Sequence, residues 1–191
     1  MLRSNQKNAI FKALLYTSFF LFLAVLIWGI YFKANNYKAV IKNYNKLADK
    51  TLWERFTYDL VPFNQYAITP KKVIEDFFMN ALAFLPLGLY LPLMSRKNTL
   101  LKGALIAFLI TLSLETLQLV TVVGTFSSND LIANTFGYFV GFLLYKLIGN
   151  KVPKTVINVV NILIIIVTIP FLIHVFSDTL SHFSVYAYKK L

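Results

Sequence analysis

The sequence predicts an all-α integral membrane protein, a bundle of about five transmembrane helices with one amphipathic loop helix on the outer surface. Hydrophobic residues make up 58% of the chain and charged residues 14%, whereas a soluble domain carries about 25% charged residues. Five apolar runs are long enough to cross a bilayer. Because hydrocarbon offers the backbone no hydrogen-bond partners, each run must be helical.

The five runs lie near residues 11–32, 73–94, 101–123, 131–149 and 155–176. The first contains an uncharged stretch from Ala13 to Phe32. This stretch is longer than the roughly 7–15 residue core of a signal peptide, so we expect an uncleaved first span.

These runs divide the chain into four segments. Residues 1–32 form the first transmembrane helix with its basic amino terminus, and residues 33–72 form an extracytoplasmic basic loop. Residues 73–149 form a core of three transmembrane helices, and residues 150–191 hold the fifth helix and an outer tail.

The formal net charge is +11 and cysteine is absent. In a membrane protein, the positive-inside rule and contact with anionic lipid explain this excess better than nucleic acid does. Nine cations without an accompanying acid fall on one side of a five-span chain: Arg3, Lys7, Lys12, Arg96, Lys97, Lys102, Lys146, Lys151 and Lys154. We therefore predict a multi-pass protein of the cell membrane with a cytoplasmic amino terminus and an extracytoplasmic carboxyl terminus.

The long loop carries a periodic basic pattern. Lysines recur every four residues, at Lys38, Lys42, Lys46 and Lys50, and apolar residues can form another face of the same helix. This pattern predicts a basic amphipathic helix that lies on the membrane surface and contacts anionic lipids. The alternative is a solvated helix or loop.

Polar residues inside the spans are costly, so their placement is informative. Each of three spans carries them at spacings of three or four, on one helical face. The candidate binding residues are Asp76 and Asn80 in the second span, Glu115 and Gln118 in the third, and Asp130 and Asn134 in the fourth.

Chain connectivity places the three polar stripes at the same side of the membrane. We therefore expect them to face one another, with Glu115 held by Gln118, Asn134 and Asn80. The alternative is structural, since amides often join membrane helices and Gly137-x-x-x-Gly141 is a common packing motif. No cofactor or metal is expected, because the spacing of His174, Asp178 and His182 is only a weak half-site.

Four sequence blocks stand out between about residues 60 and 148: Leu60-Val-Pro62-Phe63, Asn80-Ala-Leu-Ala-Phe84-Leu-Pro86-Leu-Gly88, Glu115-Thr-Leu-Gln118 and Asn129-Asp130-Leu-Ile-Ala-Asn134-Thr-Phe-Gly137. In order and spacing, these blocks resemble the VanZ-like family. Many members of this family carry an Arg and an Asp just before the Asn-Asp block. Here Gly124-Thr-Phe126-Ser-Ser128 holds neither.

The resemblance implies a link to low-level resistance to the glycopeptide antibiotic teicoplanin in Gram-positive bacteria. Teicoplanin bears a fatty-acyl tail, so we expect a non-enzymatic cell-envelope protein that binds a lipid-like or lipoglycopeptide ligand or modulates the envelope. One alternative is a membrane enzyme acting on a lipid-linked substrate, with Glu115 as general acid or base and Asp130 or Asp76 as its partner. A small transporter is a second alternative.

Overall fold

The computed structural model describes residues 2–32, 57–63, 69–95, 97, 99–121 and 124–188. These residues contain five long helices: α1 (Leu2–Phe32), α2 (Pro70–Met94), α3 (Leu100–Val120), α4 (Ser128–Leu147) and α5 (Lys154–Tyr188). A single 3₁₀ turn, Gly149–Lys151, precedes α5. The predicted basic helix with Lys38, Lys42, Lys46 and Lys50 lies outside the described residues.

The predicted all-α membrane class is confirmed. In the described part of the chain, α1, α2, α3 and α5 are long and apolar enough to cross a membrane. The first turn of helix α4 is polar, and α4 is not among these candidate spans. Its 20 residues nevertheless extend about 30 Å, the thickness of a hydrocarbon core.

Local capping explains where three of the helices begin. Pro70 opens α2, because its missing N–H needs no partner there. The Thr99 side chain accepts from the Lys102 N–H at the start of α3, and the Ser127 hydroxyl accepts from the Asp130 N–H at the start of α4. Helix α3 ends three residues before the predicted boundary, and α4 begins three residues before its own.

Helix α5 is longer than the predicted fifth span. It continues to Tyr188, so the described part of the expected outer tail is helical. His174 is exposed and Asp178 half-buried on this helix. Within the described ranges, no group of three acidic or histidine side chains is placed to hold a metal ion.

Helices α1 and α5 form one compact unit. Side-chain contacts that join them include, in chain order, Asn8–Lys154, Ser18–Asn161 and Trp28–Phe171. Because the partners advance together, the two helices run parallel.

Residues 57–63 and helices α2–α4 belong to the second unit. Its closest contact joins α2 and α4, which run parallel. A Cβ added at Gly137 would collide with the carbonyl oxygen of Ala81, and one at Gly141 with that of Leu85. The predicted Gly-x-x-x-Gly packing is therefore present, and it fixes α4 closely against α2.

Two short strands add a feature that the sequence pattern does not predict. Strand β1 (Tyr58–Asp59) pairs in parallel with β2 (Phe126–Ser127). The Phe126 N–H also donates to the carbonyl oxygen of Thr57, at 3.0 Å. This pairing fixes residues 57–59 beside the amino terminus of α4.

Candidate functional site

The candidate site begins with a buried carboxyl group on α3. Glu115 is 3% exposed, and its Oε2 accepts the backbone N–H of Ser127 at 2.9 Å. Ser127 is the N-cap of α4, so the carboxyl group lies at a helix amino terminus, where free N–H groups and the helix dipole favour an anion. This bond links the carboxyl-terminal half of α3 to the start of α4.

A second polar contact joins α2 to α4. The Asn80 amide donates from Nδ2 to Oδ1 of Asp130 at 2.7 Å. Both side chains are half-buried. The backbone N–H of Asp130 in turn donates to the Ser127 hydroxyl at 3.4 Å, so Ser127 adjoins both Glu115 and Asp130.

A third contact lies deeper. The Asn134 amide donates from Nδ2 to the Thr111 hydroxyl at 2.7 Å, and these side chains are 4% and 0% exposed. The hydrogen bonds of Asn80 and Asn134 described here go to Asp130 and Thr111, and the expectation that these amides and Gln118 hold Glu115 stays a prediction. Glu115 lies about 8 Å from the end of α3, and its bond to Ser127 joins it to the start of α4.

The two remaining candidates lie at the edges of this arrangement. Gln118 is buried at 9% exposure, next to Gly124, where an added Cβ would approach the Gln118 amide carbon to 3.3 Å. Asp76 is exposed, one helical turn before Asn80. We call Asn80, Thr111, Glu115, Gln118, Ser127, Asp130 and Asn134 the polar layer.

Sequence reasoning missed Ser127 as the residue that joins two acids of the site. The signal was present, since a serine three residues before an acid and ahead of an apolar run is typical of a helix N-cap. It also missed Asn129, whose Oδ1 accepts the backbone N–H of Phe63 at 2.8 Å. No periodic pattern in the sequence predicts the contact between Phe63 and Asn129.

The neutral segment that replaces the Arg and Asp expected from the family has a structural role here. Thr57 donates its hydroxyl to the Gly124 carbonyl oxygen at 3.3 Å and lies 3.1 Å from the Thr125 hydroxyl. Phe126 and Ser127 form β2. Residues 124–127 therefore join strand β1 to the polar layer through hydroxyl and backbone groups.

Comparison with known proteins identifies the family to which the chain belongs. The VanZ/LLP1 family profile matches residues 19–149, more than half of the chain. Protein VanZ of Enterococcus faecium is 26% identical over 158 residues, which cover 81% of this chain and 89% of that protein. No solved structure gives a significant match. The chain belongs to the VanZ/LLP1 family.

Proposed function

We propose that this protein is a non-enzymatic VanZ-family protein of the cell envelope that binds an amphiphile, lipid-like or lipid-anchored, at the polar layer. By binding it, the protein lowers susceptibility to teicoplanin-type glycopeptides in Gram-positive cells. Family membership and the similarity to Protein VanZ support the link to that family's role. The amphiphile itself is argued from the site.

The observation that carries the proposal is a gradient of burial along the site. Asp76 is exposed, Asn80 and Asp130 are half-buried, and Asn134 is buried. Polar groups therefore extend inward from an accessible edge at Asp76 to the buried Asn134. A head group with hydrogen-bond donors would meet the carboxylate of Asp76 or Asp130 first, where charge-assisted hydrogen bonds are strongest.

Apolar surface lies beside this accessible edge. Met79 lies three residues after Asp76, on the same side of α2, and is 66% exposed. In a membrane this surface contacts acyl chains. A ligand with a polar head and a hydrocarbon chain matches both parts. Glu115, Gln118 and Asn134 then act as positioning residues, because they are buried. Asp76 and Asp130 are the more accessible carboxylates.

Binding can be tested with the purified protein in nanodiscs and fluorescently labelled teicoplanin. Asn80→Leu removes the donor that orients Asp130, and we expect about tenfold weaker binding, which corresponds to one lost hydrogen bond of about 1.4 kcal/mol. Leu82→Ala is the matched control, since Leu82 lies on the same helix and is 61% exposed. Equal binding by Asn80→Leu and wild type would refute this site.

The basic loop gives the proposal a second, electrostatic part. Lys38, Lys42, Lys46 and Lys50 would hold the ligand or the loop at an anionic lipid surface. Changing all four to Gln should weaken binding in anionic nanodiscs, and added salt should reproduce the loss in the wild type. If neutral and anionic nanodiscs support equal binding by the wild type, the electrostatic part is wrong.

A membrane enzyme acting on a lipid-linked envelope substrate is the second candidate. The observation that favours it is the short link from Glu115 through Ser127 to Asp130, which places two acids around one segment. Glu115→Gln distinguishes the two functions, because it keeps the shape of the side chain but removes the titratable proton. An enzyme should lose turnover, whereas a binding protein should keep its affinity and its resistance phenotype.

A further inference from the structure

The segment between β1 and α2 exposes apolar side chains outside the helices. Tyr58, Leu60, Val61 and Phe63 are 65%, 60%, 62% and 43% exposed. Water would disfavour such a cluster, since large exposed apolar patches usually mark contact with a membrane or another protein. The segment is nevertheless held in place by the pairing of β1 with β2.

Phe63 adopts a backbone conformation that phenylalanine rarely takes. Its φ is 58°, in the left-handed region, directly after Pro62. A bulky residue at positive φ is uncommon and is often found where function demands it. In this conformation the Phe63 N–H donates to Asn129 Oδ1, while the Phe63 ring packs against Phe77, with ring centroids 6.1 Å apart.

The contacts of that ring indicate its depth. Phe77 packs in turn against Phe136, with centroids 5.7 Å apart. Phe77 lies about 10 Å along α2 and Phe136 about 12 Å along α4. Helical side chains lean toward the amino terminus by about a turn, roughly 5 Å. Because its centroid is 6.1 Å from that of Phe77, the Phe63 ring lies level with the first turns of α2, where the exposed Lys71 and Asp76 suit the head-group region.

We infer that residues 60–63 form an interfacial anchor, a non-helical turn that lies in the head-group region and contacts membrane lipids through its apolar side chains. The Phe63 N–H, a backbone donor of this turn, is satisfied by Asn129 and therefore carries no desolvation penalty at the lipid boundary. The anchor would fix the start of α4, and with it Ser127 and Asp130, at the lipid boundary. This inference does not depend on the proposed ligand.

The test uses spin labels, because the chain has no cysteine and single-cysteine variants are free of background. Val61→Cys is labelled in nanodiscs, and its accessibility to oxygen and to a water-soluble nickel reagent is measured. Leu82→Cys gives the lipid reference at 61% exposure. Lys71→Cys gives the aqueous reference, since the Lys71 side chain is 90% exposed.

We expect the label at position 61 to show an oxygen-to-nickel ratio several-fold above that at position 71 and below that at position 82. A ratio equal to that at position 71 would place the turn in water and overturn the inference. Protection from both reagents would also overturn it, because the occupant would then be protein. In a Phe63→Gly background we expect the ratio at position 61 to fall toward the aqueous value.

Discussion

Ser127 donates its backbone N–H to Glu115 at 2.9 Å, and through this bond the end of α3 is joined to the N-cap of α4. The carboxyl group thus occupies the kind of position that helix amino termini offer to anions. Glu115, a polar residue that is costly to bury in a membrane, therefore helps to position the start of α4, whether or not it also takes part in chemistry. It helps to fix the Ser127–Asp130 segment, which carries the half-buried Asp130 of the site.

The first prediction concerns this bond. Glu115→Leu leaves the Ser127 N–H without that acceptor, and an unsatisfied buried donor costs about 1–3 kcal/mol. Glu115→Gln retains an acceptor oxygen and should cost less. Thermal unfolding in detergent should therefore rank wild type above Glu115→Gln and Glu115→Gln above Glu115→Leu. Equal melting temperatures for the two variants would contradict a structural role for this acceptor.

The sequence predicted the membrane class and the helices well because hydrocarbon forces apolar runs into helices. It placed the ends of α3 and α4 less well, by three residues each. At the start of α4, the polar cap of Ser127 and Asp130 extends the helix beyond its apolar run, whereas α3 ends at Val120, inside its own run. An apolar run indicates which residues cross the membrane, whereas the capping side chains determine the residue at which the helix begins.

Spacings of three and four identified candidate site residues on the helices, but not the contacts that these residues make. Glu115 and Gln118 lie on α3, and Asn134 lies on α4. The spacings could not identify the partner of each side chain, because depth along a helix does not give the direction in which a side chain points. The β1–β2 pairing escaped prediction for a related reason, since two-residue strands have no detectable period.

The second prediction tests the packing of α2 against α4. Gly137→Ala adds a Cβ that would meet the backbone carbonyl of Ala81, and backbone cannot move aside as a flexible side chain can. We expect a loss of about 1–3 kcal/mol, the usual cost of overpacking, seen as a lower melting temperature. Gly29→Ala is the control, because nothing lies within 4 Å of an added Cβ there. If both variants melt alike, the close approach is wrong.

The third prediction concerns the buried bond between Asn134 and Thr111. Thr111→Val removes the acceptor, and Asn134→Leu removes the donor. Double-mutant cycles on such bonds in membrane proteins give about 0.6 kcal/mol on average and up to ~1.7 kcal/mol. We expect a coupling energy in this range from unfolding in mild denaturant and detergent. Strict additivity of the two single changes would show that the bond does not form.

The fourth prediction isolates the left-handed conformation of Phe63. Phe63→Ala and Phe63→Gly both remove the ring, but only glycine adopts positive φ without a Cβ penalty of about 1–2 kcal/mol. The glycine variant should therefore be the more stable of the two by about 1 kcal/mol in thermal unfolding. An alanine variant of equal or greater stability would argue against a left-handed residue at this position.

The last prediction concerns orientation in the membrane. The contact of Lys154 with Asn8 places the starts of α1 and α5 together, so position 150 reports the side of the amino terminus. Acid-free cations around these starts favour the cytoplasm. In intact cells a membrane-impermeant maleimide should label Lys50→Cys, whereas Asn150→Cys should react only after permeabilisation. Leu82→Cys controls for lipid burial and should stay unlabelled. Labelling of position 150 from outside, with position 50 protected, would reverse the orientation and place the polar layer on the cytoplasmic side.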